Sequence, residues 1–283
     1  MPYWRQSNLN QELVSRLRQL ADRYECAAFM EHDPSRVLLR YRQVQDMEVA
    51  AFIAAMLAFG RRDLFLPKVE FLLELADRGG GPANWLVSGL HRQTFPPTTV
   101  APQDKFYRFY SYQDIHTLLC RMESLLRESG SLGEFFRRSY REHCASCSGT
   151  EGGETHLSEL MGAAFADCKI VPKGKNSANK RVHMFLRWMV RRNSPVDVGL
   201  WSWYSPSKLL IPLDTHVLQQ SVELGLLPQK AGGTARTARL LTERLREVWP
   251  DDPCRGDFAL FGLGVDAGDA PAECACKDGP SGL

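Results

Sequence analysis

The stretch VPKGKNSANKRVHMFLRWMVRR (171–192) decides the fold of this chain, together with IPLDTHV (211–217) downstream. Apolar residues in the first stretch recur at three- and four-residue spacing, which predicts a helix with one buried face: Val182, Phe185, Leu186, Met189 and Val190. A turn containing Pro and Gly precedes this helix, and Ser177 is a suitable N-cap residue. Lys180 is therefore predicted in the first helical turn.

The predicted position of Lys180 matters because of the electric field at a helix N-terminus. The partial positive charge there disfavours an ammonium group and so favours the neutral amine, which is the nucleophilic form. A solvated lysine beside Arg181 is the ordinary structural explanation, and local sequence alone favours it over a nucleophile.

Asp214 in IPLDTHV follows Pro212 and precedes a helical pattern, so it is first interpreted as an N-cap. Backbone N–H groups that hold a capping carboxylate also fix its position and keep it ionised, as electrostatic catalysis requires. A nucleophilic amine and a carboxylate that stabilises a developing cation are the two groups needed to break an N-glycosidic bond. The pair predicts a DNA base-excision enzyme.

Helical periodicity extends over most of the 283 residues. Ten segments carry it: 9–30, 46–59, 64–77, 113–128, 131–143, 157–167, 178–192, 215–225, 234–248 and 257–264. Only VLLRYR (37–42) is typical of a strand. We expect an all-α fold, formed by one domain (1–283) of two lobes with a cleft, and a flexible tail over 266–283.

Charge is distributed unevenly along the chain. Residues 169–208 contain nine basic residues and one acid, which gives this segment +8 within a chain of net charge +2. A concentrated basic segment predicts a surface that contacts phosphate, although most basic runs are solvated faces.

Eight cysteines raise the question of a metal site. His143, Cys144, Cys147 and His156 are ligand types that zinc accepts, but they lie around a Gly/Ser/Thr-rich loop without a second CxxC motif. We expect no metal and no cofactor, and a helical zinc hydrolase or scaffold stays as an alternative. Cys274 and Cys276 are assigned to the tail. The sequence also has no apolar run of membrane-spanning length and no signal-peptide pattern, so we expect an intracellular protein.

The lysine that opens a helix after a turn, followed by LDTHV (213–217), resembles the helix-hairpin-helix DNA glycosylase superfamily. That superfamily includes endonuclease III and the 8-oxoguanine glycosylases. KRVHMFLRWMVRR, IPLDTHV and DFALFGLG (257–264) resemble a conserved hypothetical bacterial family within it. DMEVAAFIAAMLAFGRRDLF (46–65) is similar to the superfamily's early helix and DNA-probing loop.

The resemblance implies a two-lobed glycosylase fold with a DNA cleft, in which the hairpin and catalytic segment span about 157–225. Lys180 would attack the sugar and form a Schiff base, and Asp214 would stabilise the positive charge. Contacts to the DNA backbone are assigned to Lys173, Gly174, Lys175, Ser177, Arg181, Arg61, Arg62 and His216. A base pocket is assigned to Asp257, Phe258, Phe261, Trp201 and Trp203, although aromatic clusters are more often core.

The chain departs from endonuclease III at three points. The hairpin VPKGKNSANK (171–180) differs from the usual LPGVGxK, and Gly60-Arg61-Arg62 replaces a glutamine-containing loop. The spacing from Lys180 to Asp214 is also longer, and in this respect it is similar to archaeal 8-oxoguanine glycosylases. The spacing therefore favours the 8-oxoguanine branch. We expect a monomeric, cytoplasmic and nucleoid-associated 8-oxoguanine glycosylase and AP lyase acting on damaged double-stranded DNA. The alternatives are a glycosylase for another lesion and a non-catalytic DNA-binding protein.

Overall fold

The computed structural model of the protein describes residues 9–28, 33–146 and 156–268, with side chains to residue 264. The described chain is mostly helical, as the sequence predicts. Its α-helices are α1 Gln11–Tyr24, α2 Val44–Leu57, α3 Arg62–Arg78, α4 Pro82–Val87, α5 His91–Thr94, α6 Tyr112–Ser129, α7 Leu132–Ser146, α8 Leu157–Ala164, α9 Lys180–Val190, α10 Thr215–Glu223, α11 Ala235–Arg246 and α12 Gly256–Gly268. Strands β1 Lys105–Tyr107 and β2 Tyr110–Ser111 form an antiparallel hairpin.

The chain divides into two compact units. The continuous unit is Pro34–Lys173, and the discontinuous unit combines Met1–Asp33 with Gly174–Leu283. Lys180 and Asp214 both belong to the discontinuous unit.

In the continuous unit, α2 is the central helix. Every residue from Glu48 to Leu57 is buried, because helices α3, α4 and α7 and the 3₁₀ helix Pro34–Arg40 all pack on α2. Helix α6 begins with a capping box, in which Ser111 and Asp114 each satisfy the other's backbone N–H. The hairpin β1–β2 precedes α6 directly.

In the discontinuous unit, α1 and α10 pack against α12. The apolar core includes Leu17, Ile211, Val217, Leu241 and Leu260, each no more than 2% exposed. Two of these residues, Ile211 and Val217, flank Asp214 in the chain. The capping carboxylate therefore lies on a segment that the core holds at both ends.

Two elements differ from the sequence predictions. Residues 37–42 are not a strand, since Pro34–Arg40 is a 3₁₀ helix in which the consecutive residues Val37 and Leu38 are both buried. Such burial does not alternate with the period of two that a half-buried strand requires. The hairpin at 105–111 was not predicted, because its strands are too short to give a periodic signal.

All ten predicted helical segments contain a helix, with ends that shift by a few residues. Among the described residues, no helix has both the length and the apolar character needed to cross a membrane. Residues 266–268 of the predicted tail belong to α12, which corrects the start of the tail, and the rest of it, from 269 onward, lies outside the described residues.

Candidate active site

Lys180 is the first residue of α9, so its predicted position in the first helical turn is confirmed. The predicted N-cap is wrong, because Asn179 rather than Ser177 occupies that position. Asn179 has left-handed backbone angles of φ 45° and ψ 42°, and its N–H donates to Ser177 Oγ at 3.2 Å. Asparagine tolerates this conformation better than most residues do. The chain therefore turns sharply at Asn179 and presents Lys180 at the start of the helix.

Asp214 is the N-cap of α10, as predicted. Its Oδ1 accepts a hydrogen bond from the backbone N–H of Val217 at 2.9 Å. This bond uses one carboxylate oxygen and fixes the side chain against the helix end. The other oxygen, Oδ2, is left to face Lys180.

The Nζ of Lys180 lies 3.7 Å from Oδ2 of Asp214. The side chains are 32% and 19% exposed, so solvent or a ligand reaches both of them. The two groups lie at the starts of different helices: the amine is on the first residue of α9, and the carboxylate is on the N-cap of α10. The structure thus brings together the two residues that the sequence predicted as a catalytic pair.

A third ionisable group, Asp257, feels the charges of this pair. Asp257 lies in the first turn of α12 and is 5% exposed. Burial raises the pKa of its carboxyl group to about 6, against the opposing charge of Arg187, while the negative charge of Asp214 adds to the rise and the positive charge of Lys180 reduces it. The site therefore includes a carboxyl group whose charge changes at mildly acidic pH.

Asp257 is held by a buried network of ion pairs. Arg187 of α9 donates to Asp257 and, at 3.2 Å, to Asp197. One turn later, Arg191 donates to Asp197, to Glu25 at 2.7 Å and to both oxygens of Asp252 at 2.9 Å. Arg187 and Arg191 are 4% and 2% exposed. Their pKa values are raised: burial alone would lower them, but the neighbouring carboxylates outweigh it.

This network corrects the predicted basic surface. Two of the nine basic residues in 169–208, Arg187 and Arg191, are buried in ion pairs and do not face solvent. Lys175 and Arg192 are exposed, and Arg181 is half-buried. The exposed positive charge of this segment is therefore smaller than its sequence charge of +8.

The turn before α9 contains most of the residues predicted to hold DNA phosphate. Gly174, Lys175 and Ser177 are exposed. The turn is rigid, because Gly174 O accepts from the N–H of Ser177 at 3.1 Å and from the side-chain amide of Asn179 at 3.0 Å. Ser177 also forms an antiparallel bridge with Thr234, just before α11. The turn thus presents three predicted phosphate-binding residues on a fixed backbone.

Lys173, the remaining lysine of this set, belongs to the continuous unit. Its ammonium group donates to the carbonyl of Cys168 at 2.7 Å and to that of Phe165 at 3.3 Å. Lys173 therefore satisfies carbonyl groups that follow α8. Lys173 is nevertheless an exposed residue, so a phosphate contact stays a prediction and would compete with these two bonds.

Three residues of the predicted base pocket are buried, against expectation. Phe258 is 0% exposed, and the guanidinium carbons of Arg187 and Arg191 lie 4.5 and 5.1 Å from its ring centroid. Trp201 is 1% exposed and packs edge-to-face on Phe185. The third residue, Asp257, accepts a hydrogen bond from the buried guanidinium group of Arg187. These side chains are core residues, which is the common role of aromatic clusters.

The other two pocket residues, Trp203 and Phe261, are half-buried. The Phe261 ring lies edge-to-face with exposed His216, at 6.2 Å between centroids. His216 follows Asp214 by two residues on the same helix, so Phe261 and His216 lie near the candidate catalytic pair. Trp203 stacks on Trp201 at 5.6 Å.

Arg61 and Arg62, the other predicted DNA contacts, lie in the continuous unit at the start of α3. Both are exposed, and Arg61 pairs with Asp63 at 2.6 Å. An exposed pair of this kind contributes little to stability, so it competes weakly with a phosphate.

Within the described ranges, no group of three or more His, Cys, Asp or Glu side chains is placed to hold a metal ion. Cys147 of the predicted zinc alternative lies outside the described residues, as do Cys274 and Cys276. Cys120 in α6 has two histidine neighbours, His91 Nε2 at 3.7 Å and His116 Nδ1 at 3.6 Å. Burial raises the pKa of the Cys120 thiol and lowers the pKa of both imidazoles, so this cluster lacks the thiolate that a cysteine nucleophile needs.

The fold and site define a mostly helical protein with a lysine and a capping carboxylate at two helix starts. The model of a protein family of unknown function, DUF2400, matches residues 33–266, and the chain belongs to that family. Comparisons with curated proteins and with solved structures give no match.

Proposed function

We propose that this protein is a DNA base-excision glycosylase with AP lyase activity, which removes an oxidised purine, 8-oxoguanine, through a Schiff base on Lys180. The observation that carries the proposal is the 3.7 Å approach of Lys180 Nζ to Asp214 Oδ2 at a solvent-reachable site. The two-lobed helix-hairpin-helix glycosylase fold predicted from the sequence is part of this proposal.

The proposed reaction starts with transfer of a proton from the Lys180 ammonium to Asp214. The neutral amine attacks C1′ of the damaged nucleotide, and the electron pair of the N-glycosidic bond leaves with the base, which takes up the proton held by Asp214. Asp214 is then ionised again and stabilises the positive charge that develops on the sugar. Opening of the sugar ring gives a Schiff base, from which β-elimination breaks the strand on the 3′ side.

DNA binding is assigned to the exposed residues near the pair. Gly174, Lys175 and Ser177 on the rigid turn are positioned to contact phosphate without reading sequence. Of the predicted base-pocket residues, Phe261 and Trp203 keep exposed surface and stay in the proposal.

Borohydride trapping tests the assignment of the nucleophile. Wild-type protein incubated with an oligonucleotide containing 8-oxoguanine or an abasic site, in the presence of sodium borohydride, is expected to form a covalent complex. Lys180→Gln should abolish the complex, while Lys230→Gln, at an exposed lysine of the same unit, should leave it unchanged. Equal trapping by the Lys180→Gln variant would remove Lys180 from the mechanism.

A panel of oligonucleotides, each with one lesion, identifies the base that is removed. Release of 8-oxoguanine in preference to other damaged bases supports the proposed substrate, and preference for another base indicates the alternative glycosylase. Tight DNA binding without trapping or base release by wild-type protein would instead indicate a non-catalytic DNA-binding protein.

A further inference from the structure

The hairpin β1–β2 presents a large apolar side chain to solvent. Phe109 follows β1 at the turn and is 69% exposed, more than any other large hydrophobic residue of the described ranges. Arg108 beside it has a left-handed backbone, with φ 51°. We call Arg108 and Phe109 the hairpin tip. An exposed aromatic ring is unusual, and so is a left-handed backbone at an arginine. Features of this kind are often found at functional sites.

The exposed ring is supported from below by other aromatic rings. Its centroid lies 4.5 Å from that of Tyr110 and 5.3 Å from that of Phe59. Phe59 is held in turn by Tyr107, whose ring lies edge-to-face at 4.9 Å and whose hydroxyl donates to the Phe59 carbonyl. Phe109 is therefore fixed in position, and a partner that covers its exposed face orders little additional structure.

Positive charge surrounds the hairpin tip. Gly60 has φ 79°, and a Cβ atom there would clash with the Arg108 guanidinium, so Arg108 lies directly against the Gly60 backbone. Arg61 and Arg62 follow Gly60 in the chain, and both are exposed. Two acids lie in the same segments: Asp63 forms an exposed pair with Arg61, which a phosphate can displace at little cost, and Asp104 accepts from the N–H of Ala101 at 2.8 Å.

An exposed aromatic ring among arginines has the chemistry of a surface for unpaired nucleic acid. Guanidinium groups bind phosphates, and an aromatic ring stacks on a base in a way that tolerates any sequence. A protein partner would be expected to cover a wider apolar patch. Here Phe109 projects beside arginines, Tyr110 and Tyr107 beneath it are buried, and the other exposed large hydrophobic residue of these segments, Leu64, is aliphatic and 49% exposed.

We propose that the hairpin tip is a DNA contact in the continuous unit, in which Phe109 stacks on a base exposed by interrupted pairing while Arg108, Arg61 and Arg62 bind the adjoining phosphates. The inference rests on the proposed function for its choice of DNA as the ligand. The hairpin tip would recognise damaged DNA by binding a base that has lost its stacking partner. The chemical step at Lys180 does not enter into it.

Binding to two duplexes of one sequence tests this role. One duplex is intact, and the other carries a tetrahydrofuran abasic analogue, which leaves the opposite base unpaired and has no C1′ hydroxyl for Schiff-base formation. Binding is measured by fluorescence anisotropy. Loss of a stacking contact corresponds to roughly 10-fold in affinity. Phe109→Ala is therefore expected to weaken binding to the abasic duplex about 10-fold and binding to the intact duplex much less.

Two further variants control the measurement. Phe109→Trp keeps an aromatic face and should retain the preference for the abasic duplex. Leu39→Ala removes a side chain of nearly equal exposure, 68%, elsewhere in the same unit, and should match the wild type. Because Phe109 is outside the core, circular dichroism and the melting temperature should be the same for all variants.

Equal affinities of Phe109→Ala and wild type for the abasic duplex would overturn the inference, as would an equal loss on both duplexes. A dimer in sedimentation velocity that Phe109→Ala dissociates, with DNA binding unchanged, would also overturn it in favour of contact between two copies. Failure of borohydride trapping with a persistent Phe109 effect would support the hairpin tip and reject the proposed enzyme. If trapping requires Lys180 but Phe109→Ala has no effect on DNA binding, the proposed enzyme is supported and the role of the hairpin tip is rejected.

Discussion

The guanidinium group of Arg187 donates a hydrogen bond to the carboxylate of Asp257, 70 residues further along the chain. This bond joins the helix that begins with Lys180 to the first turn of α12. The same guanidinium group binds Asp197, so one buried cation holds two carboxylates. The position of α9, and with it the direction of Lys180, depends on charges that lie outside the catalytic pair.

Replacement of Arg187 by alanine should destabilise the fold strongly. Asp257 would stay buried without its cation and Asp197 would keep only Arg191, and breaking a buried ion pair in this way costs about 3–5 kcal/mol. Arg192→Ala, at an exposed residue just after the same helix, should change stability by less than about 0.5 kcal/mol. Urea unfolding of both variants at pH 7 measures the difference. Similar midpoints for the two variants would show that the network is not needed for stability.

The pH dependence of stability should carry a contribution from Asp257. Its pKa of about 6 in the folded protein is above the ordinary aspartate value of roughly 4. Between these pH values the folded state binds more protons than the unfolded state, so this group lowers the free energy of unfolding as pH rises from about 4 to about 6. Two pKa units correspond to about 2–3 kcal/mol.

Asp257→Asn should remove that contribution. Relative to wild type, the variant is expected to gain about 2 kcal/mol between pH 4.5 and pH 7, measured by urea unfolding at both pH values. Asp251→Asn, at an exposed aspartate nearby in the chain, serves as the matched control and should follow the wild type. A constant difference between Asp257→Asn and wild type across this range would contradict the raised pKa.

Asp214→Asn should separate the capping role of Asp214 from its charge. Asparagine caps helices about as well as aspartate, so the melting temperature should change little. If the proposed function holds, base release in single-turnover experiments should slow by roughly 10²–10³-fold, because stabilisation of the developing cation is lost, while binding to damaged DNA survives. Asp214→Ala should in addition lower the free energy of unfolding by about 1 kcal/mol, because alanine does not cap the helix. Full turnover by Asp214→Asn would leave Asp214 as a cap only.

Gly262→Ala should destabilise the packing of α1 on α12. A Cβ atom at Gly262 would overlap the ring of Tyr24, which is 5% exposed and has little room to move. Overpacking of this kind costs roughly 1–3 kcal/mol. Gly232→Ala is the control, since a Cβ atom there meets nothing within 4 Å. Equal melting temperatures for the two variants would show that Tyr24 moves aside at little cost.

The sequence predicted the helices and the Lys180–Asp214 pair because both depend on local signals. Periodic burial predicts where a helix runs, and a cap residue before an apolar pattern predicts where it starts. Asp214 met both conditions. The predicted position of Lys180 is correct, but the predicted cap, Ser177, is two residues too early. Asn179 is the cap because its bonds to Gly174 and Ser177 hold it in a left-handed conformation, which the sequence does not reveal.

The buried arginines could not be predicted in the same way. Arg187 and Arg191 are counted as surface charge by any summation along the chain, and their partners Glu25, Asp197, Asp252 and Asp257 come from four separate segments. One signal was present: the stretch from Val182 to Val190 is mostly apolar, and a helix that is apolar on all sides is buried together with its charged residues. In the structure every residue of this stretch is buried. The hairpin tip had no comparable signal, because its strands span three and two residues.

The order in which the polypeptide is synthesised has a consequence for the discontinuous unit. Helix α1 packs on α12, so this unit cannot assemble until almost the whole described chain has left the ribosome. The continuous unit has no such requirement and has its own core around α2, so it is available for folding first. Translation that stops before Gly256 yields a chain with Lys180 and Asp214 but without Asp257 and the helix that covers α1.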